Sequence, residues 1–258
     1  MITIAIIPAR MGSTRFPGKP LYKLCGLPMI GHVYKRTIMS DQIDLTYVAT
    51  CDKEIYEYII SIGGNAVMTS DSHERASDRA AEAVGVIEKN IDKKISFVAM
   101  IQGDEPLVAP DDIDRSISIL KGDKHINIVN LMSNIDNHDS FQDKNEVKVV
   151  TDLHNNALFF SREPIPSNWH SEKTPLMKKQ LGLIFFRRDY LESYNLLNPT
   201  PLEELESIDM LRVLENGEKI KMELSVYHSI GVDTKKDAKE AEELLNVDQL
   251  FLKYKDEI

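Results

Sequence analysis

Ile2-Thr3-Ile4-Ala5-Ile6-Ile7-Pro8-Ala9-Arg10-Met11-Gly12-Ser13-Thr14-Arg15-Phe16-Pro17-Gly18-Lys19-Pro20-Leu21 is an apolar run of the buried-strand type that feeds directly into a Gly-rich loop. The loop carries three cations, Arg10, Arg15 and Lys19. Glycines at 12 and 18 let backbone N–H groups converge on an anion. Arg offers phosphate a planar fork and Lys a mobile point charge. Pro17 and Pro20 restrict the chain around Lys19, which lowers the entropy lost on binding. The loop is not a Walker A motif, because five residues separate Gly12 from Gly18 and Pro20 stands where the hydroxyl would be. No Gly-x-Gly-x-x-Gly fingerprint occurs either. A merely solvated basic loop is the plain alternative.

Outward from this loop the charge distribution is uneven. Residues 1–40 hold six basic side chains and no acid, whereas the remaining 218 positions hold 25 basic and 41 acidic ones. An acid-free basic entrance on a chain of net charge −10 suits a small polyanion. That balance argues against general nucleic-acid binding. Two cysteines, Cys25 and Cys51, form neither a disulfide framework nor a metal spacing. The N-terminal apolar run stops at Pro8 without a signal-peptide layout, and no stretch approaches transmembrane length, so a cytoplasmic enzyme without membrane insertion is expected.

Strands alternate with helices along the first half. Strands are expected at 2–8, 45–50, 66–68 and 95–101, with helices from Pro28 to about Ser40, at 53–61 and at 76–90. This pattern predicts a mostly parallel sheet with helices on both faces, and ligands at the carboxyl ends of the strands. The loops at 9–20 and 102–106 should therefore share one face. Further strands are expected at 126–133, 147–151, 157–160 and 181–186, the last two around a Pro-containing loop with Trp169. A helix at 203–215, a strand at 219–227 and a closing helix at 234–253 complete the reading.

Asp104 emerges after the buried-type strand at 95–101, and Asp233 follows another strand just before a helix. Two aspartates on separate strand ends suit magnesium, which takes one or two carboxylates plus phosphate oxygens and waters. Plain alternatives are a turn residue for Asp104 and a helix N-cap for Asp233. Ser77-Asp78-Arg79 can be an ordinary helix start, Arg162 a surface ion pair, and His73 a solvated loop residue.

Taken together, Ile6-Ile7-Pro8-Ala9-Arg10, Pro17-Gly18-Lys19-Pro20-Leu21, Gly26-x-Pro28-Met29-Ile30, Ile101-Gln102-Gly103-Asp104-Glu105-Pro106, Val147-Lys148-Val149-Val150, Phe160-Ser161-Arg162, Leu211-Arg212-Val213-Leu214 and Gly231-Val232-Asp233-Thr234 resemble the 3-deoxy-manno-octulosonate cytidylyltransferase (CMP-KDO synthetase) family, in the family's order and over nearly the whole chain. The resemblance implies a Rossmann-like α/β nucleotidyltransferase fold and one domain over 1–258, with 135–190 contributing a dimerisation arm. It implies a homodimer, Mg2+, and as substrates CTP and a 2-keto-3-deoxy sugar acid, the product serving lipopolysaccharide or capsule synthesis. By the same resemblance, Pro8, Ala9, Arg10, Gly12, Ser13, Lys19, Ser77, Arg79, Gln102 and Asp104 meet the nucleotide. Lys19, Arg10 and Arg15 carry the chemistry, Asp104 and Asp233 hold the metal, and Arg162, Gln180, Glu206 and Met210 meet the sugar acid.

Departures from the family pattern gather at the expected sugar pocket. Ala76-Ser77 replaces Gly-Thr before Asp78-Arg79, Gln180 replaces His before Leu181-Gly182, Met210 replaces Gln before Arg212, and a Tyr is lost near Phe186. Because absent polar partners discriminate substrates strongly, a modified octulosonate such as 8-amino-3,8-dideoxy-manno-octulosonate stands beside the ordinary sugar, with drift inside one specificity as the plain alternative. A sugar-1-phosphate nucleotidyltransferase and a catalytically silent nucleotide-binding dimer are the competing functions.

Overall fold

The structure, a computed structural model, describes residues 1–13, 15–91, 93–167 and 177–255. Trp169 lies outside the described residues. The strands are β1 Ile2–Ala9, β2 Lys23–Leu24, β3 Leu27–Pro28, β4 Leu45–Thr50, β5 Asn65–Met68, β6 Ile95–Ile101, β7 Ile128–Asn134, β8 Lys148–Thr151, β9 Ala157–Ser161, β10 Lys178–Arg187 and β11 Lys221–Leu224. The helices are α1 Met29–Thr37, α2 Lys53–Ser61, α3 Ala76–Ile91, α4 Pro110–Gly122, α5 His138–Gln142, α6 Arg188–Asn195, α7 Pro201–Glu206, α8 Met210–Glu215 and α9 Lys235–Leu245. No helix among the described residues is long and apolar enough to cross a membrane.

The central sheet runs β11-β7-β10-β6-β1-β4-β5. β1 is parallel to β4 and β6, β4 to β5, and β7 to β11, while β10 enters antiparallel between β6 and β7. The expected mostly parallel α/β sheet is thus present, with one reversed strand. β8 and β9 form an antiparallel pair attached to β10.

Alternate residues of β1 build two cores. Ile4 and Ile6 face α3, α6 and α8, whereas Ala5 and Ile7 face α1, α2 and α4. All four are fully buried, the condition of a strand covered on both faces. A third cluster joins Phe16, Leu24, Leu27 and Met29 to Leu107, Val232, Ala238 and Tyr254. It anchors the loop after β1 and the turn before α9 in the same apolar core.

Three expected elements differ. The helix expected at 203–215 is two short helices, α7 and α8, broken where Ser207 adopts a left-handed conformation (φ 53°). The strand at 219–227 shortens to Lys221–Leu224, and the closing helix ends at Leu245 before a separate 3₁₀ turn at Phe251–Lys253. α4 and α6 have no counterpart in the sequence reading.

Beneath the third cluster, His32 is fully buried. Its Nε2 lies 2.8 Å from the Leu24 carbonyl, which only accepts, so Nε2 carries the proton and Nδ1 accepts from the Tyr254 hydroxyl at 2.9 Å. Burial pushes its pKa from 6.5 down to about 4; the Leu24 carbonyl opposes this and the Arg36 charge adds to it. The unfolded chain therefore takes up this proton as pH falls through 6.5, while the folded chain resists until about 4. Stability contributed above pH 6.5 should drain away over that window, by about 3 kcal/mol. Urea midpoints of wild type and His32→Gln at pH 7 and pH 4.5 measure it. The wild type should lose more stability than the variant, and equal losses would show that His32 is not the coupled group.

Candidate active site

The carboxyl ends of β1, β6, β7 and β11 open onto one cleft of about 1380 Å³. A pocket for one small ligand is typically about 300–1,000 Å³, so the volume suits two reactants side by side. Pro8, Ala9, Arg10, Gly12, Ser13, Lys19, Arg79, Gln102 and Asp104 line it, as do Arg162, Gln180 and Asp233. The two loops expected to share a face do so.

The cationic loop is folded upon itself and not splayed into solvent. Gly18 N–H donates to the Met11 carbonyl at 3.2 Å, Phe16 N–H to Ser13 Oγ at 3.2 Å, and Met11 N–H to the Asp52 carboxylate at 2.7 Å. Gly18 takes φ 73°, a value that L side chains rarely adopt, and releases the chain into a 3₁₀ turn at Lys19–Leu21. Phe16, 4% exposed, pins the loop from below. Lys19 is thereby aimed along the sheet end.

Lys19 Nζ lies 2.6 Å from Asp104 Oδ2 and 3.1 Å from Asp233 Oδ1. Arg15 reaches Asp233 Oδ2 at 3.0 Å. Three segments far apart in sequence thus meet at one ammonium. Their backbones are joined as well, since Val232 N–H donates to the Asp104 carbonyl at 2.9 Å. Gly103 permits this closeness: a Cβ there would stand 3.0 Å from the Pro8 carbonyl oxygen and 2.9 Å from Ile30 Cδ1. Burial pulls the Lys19 pKa down, but the two carboxylates together outweigh it and hold the ammonium above its ordinary value. Lys19 is a fixed cation.

Asp233 does not cap the following helix. Thr234 is the N-cap of α9, accepting from Asp237 N–H, while the Asp237 carboxylate accepts from the N–H groups of Asp233 and Thr234. The Asp233 carboxylate is left for the cleft. Among the described residues no three His, Cys, Asp or Glu side chains gather as a metal cage. Two convergent carboxylates still fit a hard divalent cation that completes its shell with phosphate oxygens and waters.

Around this centre, Arg10 is exposed on the cleft wall with no ion-pair partner among the described residues. Arg162 donates to the carbonyls of Glu206 (2.7 Å), Lys144 (2.9 Å) and Ser207 (3.2 Å). Those partners are neutral, so its charge remains available to an anion in the cleft. Glu105 is buried behind Asp104, its carboxylate accepting from Gly182 N–H at 2.9 Å and Ser229 Oγ at 2.8 Å. Burial, then the Asp104 charge, raises its pKa.

Four expected contacts fall elsewhere or behind the wall. Ser77 is fully buried and donates to Asp209 at 3.0 Å, so it reaches the cleft only through that residue. Met210 is fully buried in the core beside Phe186 and Ile208, because the break at Ser207 turns the start of α8 inward. The Glu206 carboxylate serves Ser161 Oγ and Arg162 N–H, holding the arginine and not facing the cleft. Arg79 lies on the wall but its guanidinium binds Thr69 Oγ1 and the carbonyls of Ser70 and His73, shaping the loop after β5. Arg75, absent from the sequence reading, lines the cleft between Glu203 and Asp209. Its only signal was a basic residue one position before α3.

A family model described as cytidylyltransferase matches residues 4–220. A 3-deoxy-manno-octulosonate cytidylyltransferase of Thermodesulfovibrio yellowstonii is 43% identical over 253 residues, 95% of this chain and 99% of that protein. One of Geobacter metallireducens is 41% identical over 252 residues, 94% and 97%. A solved structure of CMP:2-keto-3-deoxy-manno-octonic acid synthetase complexed with CTP superposes with a TM-score of 0.86 at 32% identity, covering 95% of this chain and 99% of that one. A cytidylyltransferase from Leptospira borgpetersenii shares the fold alone, with a TM-score of 0.63 at 16% identity. The family model over residues 4–220, with relatives 43% and 41% identical along nearly the whole chain, identifies the chain as a member of the cytidylyltransferase family.

Proposed function

We propose that this chain transfers the cytidylyl group of CTP to a 2-keto-3-deoxy sugar acid, 3-deoxy-manno-octulosonate or a modified form of it, releasing pyrophosphate. The observation that carries the reading is the Lys19 ammonium held between Asp104 and Asp233 at the mouth of a cleft edged by Arg10 and Arg15. The names of the similar proteins support the substrates.

The anomeric hydroxyl of the sugar acid attacks the α-phosphorus in line, and the bond to pyrophosphate breaks. Such a transfer needs alignment and charge neutralisation more than covalent help. Lys19 stabilises the charge gathering at the α-phosphate, and its burial strengthens that effect. Arg10 and Arg15 grip the departing β- and γ-phosphates. Arg162 attracts the carboxylate of the sugar acid. Asp104 and Asp233 would hold Mg2+, which when bound supplies Lewis-acid charge at the phosphate oxygens. The arm at 135–190 joins two copies; its described part includes β8 and β9, where Leu158 is 61% exposed.

Pyrophosphate release from CTP should require both the sugar acid and a divalent cation. Full turnover in EDTA would remove Asp104 and Asp233 from the metal role.

Lys19→Met should lower kcat about a hundredfold or more while the KM for CTP moves far less, because its charge matters most as electrons shift. A variant with normal kcat and a raised KM would make Lys19 a ground-state binding residue.

Light scattering on the purified chain should give the mass of two copies, and Leu158→Lys should move the population toward one. A wild-type protein that is monomeric at micromolar concentration would end the arm assignment.

A further inference from the structure

Between two shared pairs, β10 is longer than its neighbour. Gln180 stands opposite Met132 and Ile184 opposite Asn130, so Leu181, Gly182 and Leu183 face Leu131 alone. Such a bulge leaves buried backbone groups without their ladder partners. Gly182 is served from the loop after β6, its N–H by Glu105 Oε1 and its carbonyl by Gln102 N–H, each at 2.9 Å. The carbonyls of Leu181 and Leu183 are served by one side chain of β7. Asn130, fully buried, donates from Nδ2 to Leu181 O at 3.0 Å and to Leu183 O at 2.9 Å.

This arrangement fixes which way the Asn130 amide points. Reversed, it would press Oδ1 against carbonyl oxygens that only accept. Oδ1 therefore faces the other way, where it accepts from Gln180 Nε2 at 2.6 Å. Gln180 is fixed in turn: its nitrogen is committed to Asn130, and its Oε1, without a partner among the described residues, belongs to a side chain on the cleft wall.

We propose that Asn130 is a positioning residue, and that through it Gln180 presents its amide oxygen as an acceptor for a hydrogen-bond-donating group of the sugar acid, a hydroxyl or a protonated amine. The assignment rests on the reading of the cleft given above. An acceptor held this way favours a substrate carrying a donor at that point and disfavours one that lacks it, because an unmatched polar group in a closed site is costly.

Steady-state kinetics with CTP and 3-deoxy-manno-octulosonate test it. Gln180→Met keeps the length and removes the acceptor; it should lower kcat/KM for the sugar acid about tenfold and leave the KM for CTP unchanged. Asn130→Ala should lower the same ratio, and the double variant should lose no more than Gln180→Met alone, since one residue acts through the other. Losses that add, or a loss in Asn130→Ala shared equally by CTP and sugar acid, would reduce Asn130 to a structural plug. Should Asn130→Ala fail to fold, Gln180→Met and Gln180→Glu still decide the acceptor: the first should lose efficiency and the second should retain more of it. A Gln180→Met protein as efficient as wild type overturns the inference while the cytidylyl-transfer reading stands. A wild type that releases no pyrophosphate with either 3-deoxy-manno-octulosonate or its 8-amino-3,8-dideoxy form overturns both.

Discussion

The Lys19 ammonium is the point on which the site depends. It bridges two carboxylates, one after β6 and one in the turn before α9, which would otherwise repel one another beside a half-buried wall; Arg15, paired with Asp233, supplies the second positive charge. At separations near 3 Å in a partly desolvated setting each attraction is worth on the order of a few kcal/mol, enough to outweigh the penalty of burying the lysine. The apolar cluster beneath enforces the meeting, because Phe16 and Val232 pack in the same core. A divalent cation held as proposed by Asp104 and Asp233 would compete with Lys19 for the same oxygens. A bound nucleotide would relieve that competition, its phosphates offering the ammonium new anions and the cation further ligands, so on this reading cofactor and substrate are expected to enter together.

The sheet divides the labour. In its parallel portion, β6-β1-β4-β5, the loops after β1, β5 and β6 reach the cleft, and the first carries cations that suit phosphate. Its other portion, built around the reversed strand β10, carries the bulge and the amide pair of Asn130 and Gln180. Glu105 ties the two, being held by Gly182 of β10 and by Ser229 while it follows directly on Asp104. A change in the bulge would therefore be felt at the Asp104 carboxylate through one side chain.

The half of the site nearest β1 was legible because local rules and tertiary structure agree there. A buried strand followed by glycines and cations predicts a loop at a strand end, and Asp104 behaves likewise. Asp233 was harder: Asp before a helix reads as a cap, yet Thr234 takes that part and the capping box with Asp237 leaves Asp233 over. The signals for α4 were present in Pro110, Asp111 and Asp112 at its first turn and in Ile113, Ile117 and Leu120 at helical spacing. Other features depend on partners distant in sequence. Register sets the β10 bulge, and a left-handed serine with no local signature splits the helix at 203–215. Arg212, a landmark of the resemblance, is 3% exposed and bound to Glu203 by two bonds of 2.7 Å, with Tyr194 beneath its guanidinium. It braces α7 against α8 and never meets the cleft.

That bracing changes what the departures in the sugar half mean. Met210 and Ser77 do not stand on the cleft wall, so any influence they have on the sugar acid passes through Asp209, which Ser77 holds and which pairs with Arg75. Arg75 does line the cleft. A hydroxyl at 77 rather than a different one, or a thioether at 210 rather than an amide, would shift Asp209 and hence the reach of Arg75 without any new contact to the substrate. Gln180 differs in kind, because its amide is on the wall and its direction is fixed by a buried neighbour. On the proposed reading, specificity in this cleft would rest first on Gln180 and only indirectly on the α7–α8 turn. A single substitution on β10 can alter the donor it prefers, whereas Met210 answers to the packing of the core before it answers to the ligand.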